Sequence, residues 1–109
     1  MNWKLDYLPE AVEDMERLDK SQRILVQKMM GKTRTNPLPQ GEGGYGKPLG
    51  NQGGYDLTGL LKIKLKRAGI RVVYRLIRTD TEMQVLVVGA RADEEAYHAA
   101  WTRRKKYGI

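Results

Sequence analysis

Apolar and polar positions divide this chain into segments of different period. In "WKLDYL", Trp3, Leu5 and Tyr7 alternate with Lys4 and Asp6, which predicts a short strand over Trp3 to Leu8. The period then lengthens. Leu8, Val12, Met15 and Leu18 recur at helical spacing, Pro9 suits a first helical turn, and Glu10, Glu13 and Asp14 fall where the helix dipole favours negative charge. A helix to about Leu18 is expected. Asp19 followed by Gln22 reads as a capping box and opens a second helix, with Ile24, Leu25, Met29 and Met30 assigned to its buried side. It should stop near Asn36, because the residue before a proline resists helical geometry. So short a connection makes the two helices a hairpin.

From Pro37 to Gly54 the pattern dissolves into "PLPQGEGGYGKPLGNQGG", which holds seven of the twelve glycines and three of the four prolines. This segment is expected to be a long, mobile surface loop. Its "GEGGYG" fits the letters of G-x-G-x-x-G, but a dinucleotide site needs a strand before that loop and a helix after it. Here a helix precedes and a strand follows, so no cofactor is inferred.

Strands are predicted for Leu57–Lys66, Ile70–Arg78 and Met83–Gly89. "KRAG" and "TDTE" lie at their connections, and an antiparallel meander is the simplest arrangement. "MQVLVVGA" is nearly all apolar, as for a strand covered on both faces. Asp93, a good N-cap, opens a last helix through "EEAYHAAWTRRKK", acidic at its start and basic at its end. The expected class is α+β in the order β-α-α-β-β-β-α, with the hairpin and the last helix packed on a small, mainly antiparallel sheet.

At 109 residues one modest core is affordable, and one domain over 1–109 is expected. No apolar run approaches a membrane span and no signal-peptide h-region opens the chain. The absence of cysteine excludes disulfides and thiolate metal sites, and one histidine, His98, makes no metal cluster alone. A cytoplasmic protein without membrane partners, cofactor or metal is the expectation. The net charge of +7 is concentrated in the second half, where 12 basic residues face 6 acidic ones, against 8 and 7 in residues 1–54. Such a half suits a polyanion or an acidic protein.

In "LKIKLKRAGIR" the charge acquires geometry. Lys62, Lys64 and Lys66 share one side of their strand while Leu61, Ile63 and Leu65 share the other. These cations either look at water, which also deters edge aggregation, or serve an anion. Arg71 begins the next strand, across the hairpin; Arg91 follows the third strand, and Tyr97 lies one turn into the last helix. Tyr97 is either a core aromatic paired with Trp101 at i+4 or a platform for a base or phosphate. Lysine, arginine and tyrosine can together cut RNA without metal, because the RNA's own 2′-OH attacks the adjacent phosphorus. Clustered ammoniums would lower one lysine's pKa toward use as a base.

With these residues in place, the sequence resembles the RelE toxins of bacterial type II toxin–antitoxin systems over nearly its full length. The element order carries the resemblance, with "LLKIKLKRAGIRVVYR", "VLVVGAR" and "EEAY". It implies a ribosome-dependent, metal-independent endoribonuclease that cleaves mRNA in the ribosomal A site. The family's two strand lysines fall on Lys62 and Lys64, its hairpin arginine on Arg71, its last-strand arginine on Arg91 and its helix tyrosine on Tyr97. The implied roles are stacking or orientation for Tyr97, 2′-OH deprotonation for a lysine, and phosphorane stabilisation for Arg71 and Arg91. Lys66 and Arg67 would hold RNA backbone; Arg103 to Lys106 would either do the same or serve as ordinary charge at a helix end. Ala90 and Ala92 depart from the family, which often carries charge there. The implied partners are a RelB-like antitoxin, the ribosome with mRNA, and operator DNA through the toxin–antitoxin complex. The rival readings are a ParE-like toxin of DNA gyrase, and an inactive homologue that only binds antitoxin and operator.

Overall fold

The computed structural model describes residues 2–109, and of Ala90 the backbone only. Its elements are β1 (Lys4–Tyr7), α1 (Pro9–Arg17), α2 (Lys20–Thr33), β2 (Lys47–Gln52), β3 (Tyr55–Leu65), β4 (Ile70–Ile77), β5 (Glu82–Ala90) and α3 (Asp93–Tyr107), with single 3-10 turns at Gln40–Glu42 and Arg78–Asp80. The α+β order holds with one addition. β2 arises inside the stretch expected to be loop and pairs antiparallel with β3. The five strands form one sheet in the order β1-β5-β4-β3-β2. β3, β4 and β5 make the expected antiparallel meander, and β1 joins β5 in parallel.

Local signals place the hairpin. The Asp19 carboxylate accepts from the Gln22 backbone N–H at 2.8 Å, and the Asp19 N–H donates to Gln22 Oε1 at 3.1 Å, so both halves of the capping box form. The buried stripe of α2 is Val26, Met30 and Thr33. Ile24 and Leu25, expected inside, are 53% and 46% exposed. Apolar residues stand on several sides of this helix, so spacing alone did not select the stripe that meets the sheet.

Val72, Val73 and Tyr74 are consecutive and all fully buried, so both faces of β4 are covered. On one face α3 packs across β3, β4 and β5; α1 packs against β5 and β1. The Tyr74 hydroxyl donates to Pro37 O at 2.7 Å, which ties the segment after α2 to the sheet, and burial pushes that phenol above its ordinary pKa.

Two glycines of "GEGGYG" serve this packing. A Cβ at Gly46 would lie 2.3 Å from the Tyr74 hydroxyl, and one at Gly44 only 2.0 Å from Leu38 O. Glu42 and Arg78 join the same loop to the far end of β4 by two hydrogen bonds of 2.6 and 3.0 Å.

β1 ends its pairing at Val85, which leaves the last part of β5 with an open edge. Two residues far apart in sequence close it. Asp14 of α1 accepts from Val88 N–H at 3.0 Å, while Arg103 of α3 donates to Leu86 O at 2.8 Å. Arg103 and Asp14 also bond to each other at 2.6 and 3.2 Å. Arg103 is therefore a structural residue that links two helices across a sheet edge. Among the described residues no helix is long and apolar enough to cross a membrane.

Candidate nucleic-acid interface

Sheet register puts the basic residues together. Lys62 stands opposite Val73, and Lys64 opposite Arg71, in the β3–β4 pair; Lys47 of β2 stands opposite Lys62. Directly opposed residues share a face, so Lys47, Lys62, Lys64 and Arg71 lie on one side, the side that α3 covers. Lys62 is 7% exposed and Arg71 9%. Cations so buried require partners, and α3 supplies them. Lys62 Nζ lies 3.1 Å from Asp93 Oδ1 and 2.9 Å from the Tyr97 hydroxyl. Arg71 Nε donates to the same Asp93 oxygen at 2.7 Å. Its Nη1 donates to Gly69 O at 2.8 Å and to Arg91 O, bracing the start of β4 against the chain leaving β5.

Asp93 was expected as the cap of α3. The cap position is instead Ala92, whose extended backbone carries no side-chain cap, and Asp93 is the first helical residue. Its carboxylate is the negative group that relieves repulsion along the lysine strand. One signal for it was present in the sequence: Asp93 and Tyr97 are four apart on one helix, so both reach the same cation.

The electrostatics set the charge state of Lys62. Burial alone would lower the Lys62 pKa, but the hydrogen bonds to Tyr97 and Asp93 outweigh it and hold the ammonium above its ordinary value. Lys62 keeps its proton here and is not the depressed base that a cluster of unpaired ammoniums would create. The Arg71 hydrogen bond, followed by that from Lys62, holds the Asp93 carboxyl below its usual range against the opposing cost of burial, so it is ionised at neutral pH.

Lys62 and Asp93 of this cluster also line a cleft of about 440 Å³, together with Lys32, Lys47, Lys64, Lys66 and Tyr45. Lys64 and Lys66 are exposed, as is Arg67 in the β3–β4 turn. Sequence reasoning missed Lys32, Tyr45 and Lys47, because α2 and the Gly/Pro-rich segment reach β3 only in the folded chain. Arg91 meets the cluster through its carbonyl; the residue itself is exposed and lines a different cavity of about 310 Å³ with Asp14, Arg17 and Glu95.

Tyr97 points its hydroxyl at Lys62. The aromatic neighbour of Trp101 is Tyr55, with ring centroids 5.5 Å apart. The tail cations are engaged elsewhere: Arg104 on the carbonyls of Ile109 and Asp56, Lys105 over the Trp101 ring at 4.3 Å, and Lys106 on Glu10 at 2.8 Å. Among the described residues no three His, Cys, Asp or Glu side chains are placed to hold a metal.

The backbone carrying this cluster has solved counterparts. E. coli toxin RelE, as an arginine double mutant in the free state, superposes with a TM-score of 0.70 at 22% identity, over 95% of this chain and 98% of that one. The chain has the RelE fold. The RelBE2 toxin–antitoxin complex of Mycobacterium tuberculosis includes a chain matching at TM-score 0.67 and 23% identity, over 84% of this chain and all of that one. The archaeal RelE–RelB complex of Pyrococcus horikoshii OT3 includes one at 0.59 and 17%, over 85% and 99%. No protein-family model and no curated relative matches this sequence. The RelE fold thus accounts for the sheet and its helices, while the cluster over β3 and β4 is a property of this chain's own side chains.

Proposed function

We propose that this chain is the toxin of a type II toxin–antitoxin pair and that it cleaves mRNA in the ribosomal A site, halting translation in the cytoplasm. The observation that carries the reading is the Lys62–Arg71–Tyr97 cluster, which reaches a lysine-lined cleft through Lys62 and Asp93. Lys62 and Arg71 already share one anionic oxygen, that of Asp93. A phosphate oxygen exchanging for that carboxylate would meet the same two donors.

The chemistry proceeds on the RNA's own atoms. The 2′-oxygen bonds to phosphorus as its proton leaves, a phosphorane forms, and the bond from phosphorus to the 5′-oxygen breaks as that oxygen takes a proton from water, leaving a 2′,3′-cyclic phosphate. Lys62, protonated, and Arg71 stabilise the developing negative charge. Arg91 adds charge from the strand end; an arginine does not deprotonate in proteins, so it acts by electrostatics. Tyr97 orients the nucleotide through ring and hydroxyl. Lys64, exposed opposite Arg71, is the lysine left to accept the 2′-OH proton, and Lys66 and Arg67 hold backbone phosphates. RelE chains of the same fold have been solved with RelB antitoxins, which supports an antitoxin as this chain's protein partner.

The test adds the purified chain to stalled ribosomes carrying a defined A-site codon. Cleavage within that codon, reduced at least 100-fold by Tyr97→Ala and by Arg91→Ala, is expected; general acid–base groups typically supply about 10²–10⁴-fold and charge-stabilising donors about 10²–10³-fold. A folded, antitoxin-free chain that leaves the codon intact while inhibiting gyrase would replace this reading with a gyrase toxin.

A further inference from the structure

Resting on the RNA reading, we infer that Tyr45 is a second nucleotide platform: its ring stacks a base of the single-stranded substrate beside the scissile phosphate, flanked by Lys32 and Lys47. Nothing in the cleavage chemistry requires this residue, and four observations converge on it. Tyr45 is a large aromatic left 44% exposed, and it lines the same cleft as Lys62 and Lys64. Lys32 Nζ stands 5.4 Å from its ring centroid, and Lys47, two residues on, opposes Lys62 in the sheet.

The backbone around the ring is tightly held. Tyr45 N–H donates to Asn36 O at 3.1 Å, Gly46 N–H to Leu38 O at 3.0 Å, and Gln40 N–H to Gly46 O at 2.8 Å. Gly44 and Gly46 pack where no side chain fits. These bonds hold the tyrosine's backbone over the cleft, so ordering the platform costs little when a ligand arrives. A cleft of about 440 Å³ falls within the size range of small-ligand sites, room for a nucleotide. An aromatic ring among lysines is the arrangement that binds single strands with little sequence preference, because every base offers a π-face and every nucleotide a phosphate.

Stacking of one base contributes about 5- to 150-fold in affinity. The experiment measures binding of the antitoxin-free chain to ribosomes programmed with an A-site codon made uncleavable by a 2′-deoxy nucleotide at the scissile position. 2-Aminopurine is placed in turn at the positions flanking that bond. Tyr45→Ala is expected to weaken binding about tenfold and abolish fluorescence quenching at one position. Tyr45→Phe should keep both within twofold, since the ring is what stacks. Thermal midpoints equal to wild type would confirm that these variants fold. Unchanged binding and quenching in Tyr45→Ala, with wild type binding well, would overturn this inference and leave the cleavage reading standing. A wild type that neither binds nor cuts would overturn both. Loss of antitoxin-peptide binding in Tyr45→Ala, with RNA binding intact, would also overturn it and assign the ring to the protein interface.

Discussion

At the scale of single residues, Asp93 decides how the basic cluster exists without an external anion. One carboxylate oxygen takes hydrogen bonds from Lys62 at 3.1 Å and Arg71 at 2.7 Å, and hydrogen bonds to charged groups contribute about 1.5–3 kcal/mol each. Asp93 is half-exposed, so the expected loss in Asp93→Asn is smaller, about 1–2 kcal/mol, measured by urea denaturation. Removing the charge should also tighten RNA binding, because the phosphate no longer competes with a resident anion.

The signs of the two pKa shifts set the pH window. Asp93 has a lowered folded pKa, so its contribution is present above its unfolded value and fades as pH falls through the folded one. Lys62 has a raised folded pKa, so its contribution is full below its unfolded value and fades as pH rises through the folded one. The cluster is therefore stabilising from about pH 4 to pH 10. In Asp93→Asn the Lys62 ammonium should titrate at lower pH than in wild type, observed by NMR of the side-chain nitrogen. An unmoved titration would remove Asp93 from its supporting role.

At the scale of elements, the edge of β5 shows what holds α1 and α3 in place. Asp14, buried, and Arg103, partly buried, satisfy Val88 N–H and Leu86 O where β1 no longer pairs. Breaking one side of such a pair leaves a charge without its partner, and Arg103→Met should cost about 3–5 kcal/mol in chemical denaturation. Restoring hydrophobic packing on both sides, as Asp14→Leu with Arg103→Met, should recover less than a buried pair usually allows, because the two backbone groups would remain unsatisfied. α2 carries another element-scale lesson. Its capping box was legible because the two residues that bond each other, Asp19 and Gln22, lie within one turn. Its buried face was not, because Ile24, Leu25, Val26, Met29 and Met30 offer more than one apolar stripe and the sheet selects Val26 and Met30.

At the scale of the molecule, the fold gathers cations from α2, β2 and β3 into one cleft while α3 adds a single carboxylate. Binding of single-stranded RNA there should weaken steeply with salt, by a log–log slope of about −0.7 for each phosphate neutralised. Lys47→Gln with Lys66→Gln should flatten that slope by about 1.4, compared between about 50 and 200 mM salt. An unchanged slope would place the phosphates elsewhere.

What this sequence determined by itself was whatever lies within a few residues or one period. That covers β1 and the helices with their charge bias, the capping box at Asp19, the antiparallel strands over Leu57–Gly89, and the alternation that puts Lys62 and Lys64 on one side and Leu61 and Ile63 on the other. Those features depend on local backbone geometry. Only the tertiary structure decided that β2 forms within glycine- and proline-rich sequence, where an edge partner and the anchoring Tyr74 hydroxyl outweigh weak strand propensity. It also decided that Lys62 is buried beneath α3 while Lys64 is open, that Asp93 neutralises the cluster instead of capping its helix, and that Arg103 braces a sheet edge. Each of these pairs groups tens of residues apart, as Lys62 with Asp93 and Arg103 with Asp14. Burial and charge pairing are properties of such meetings, and no local pattern records them.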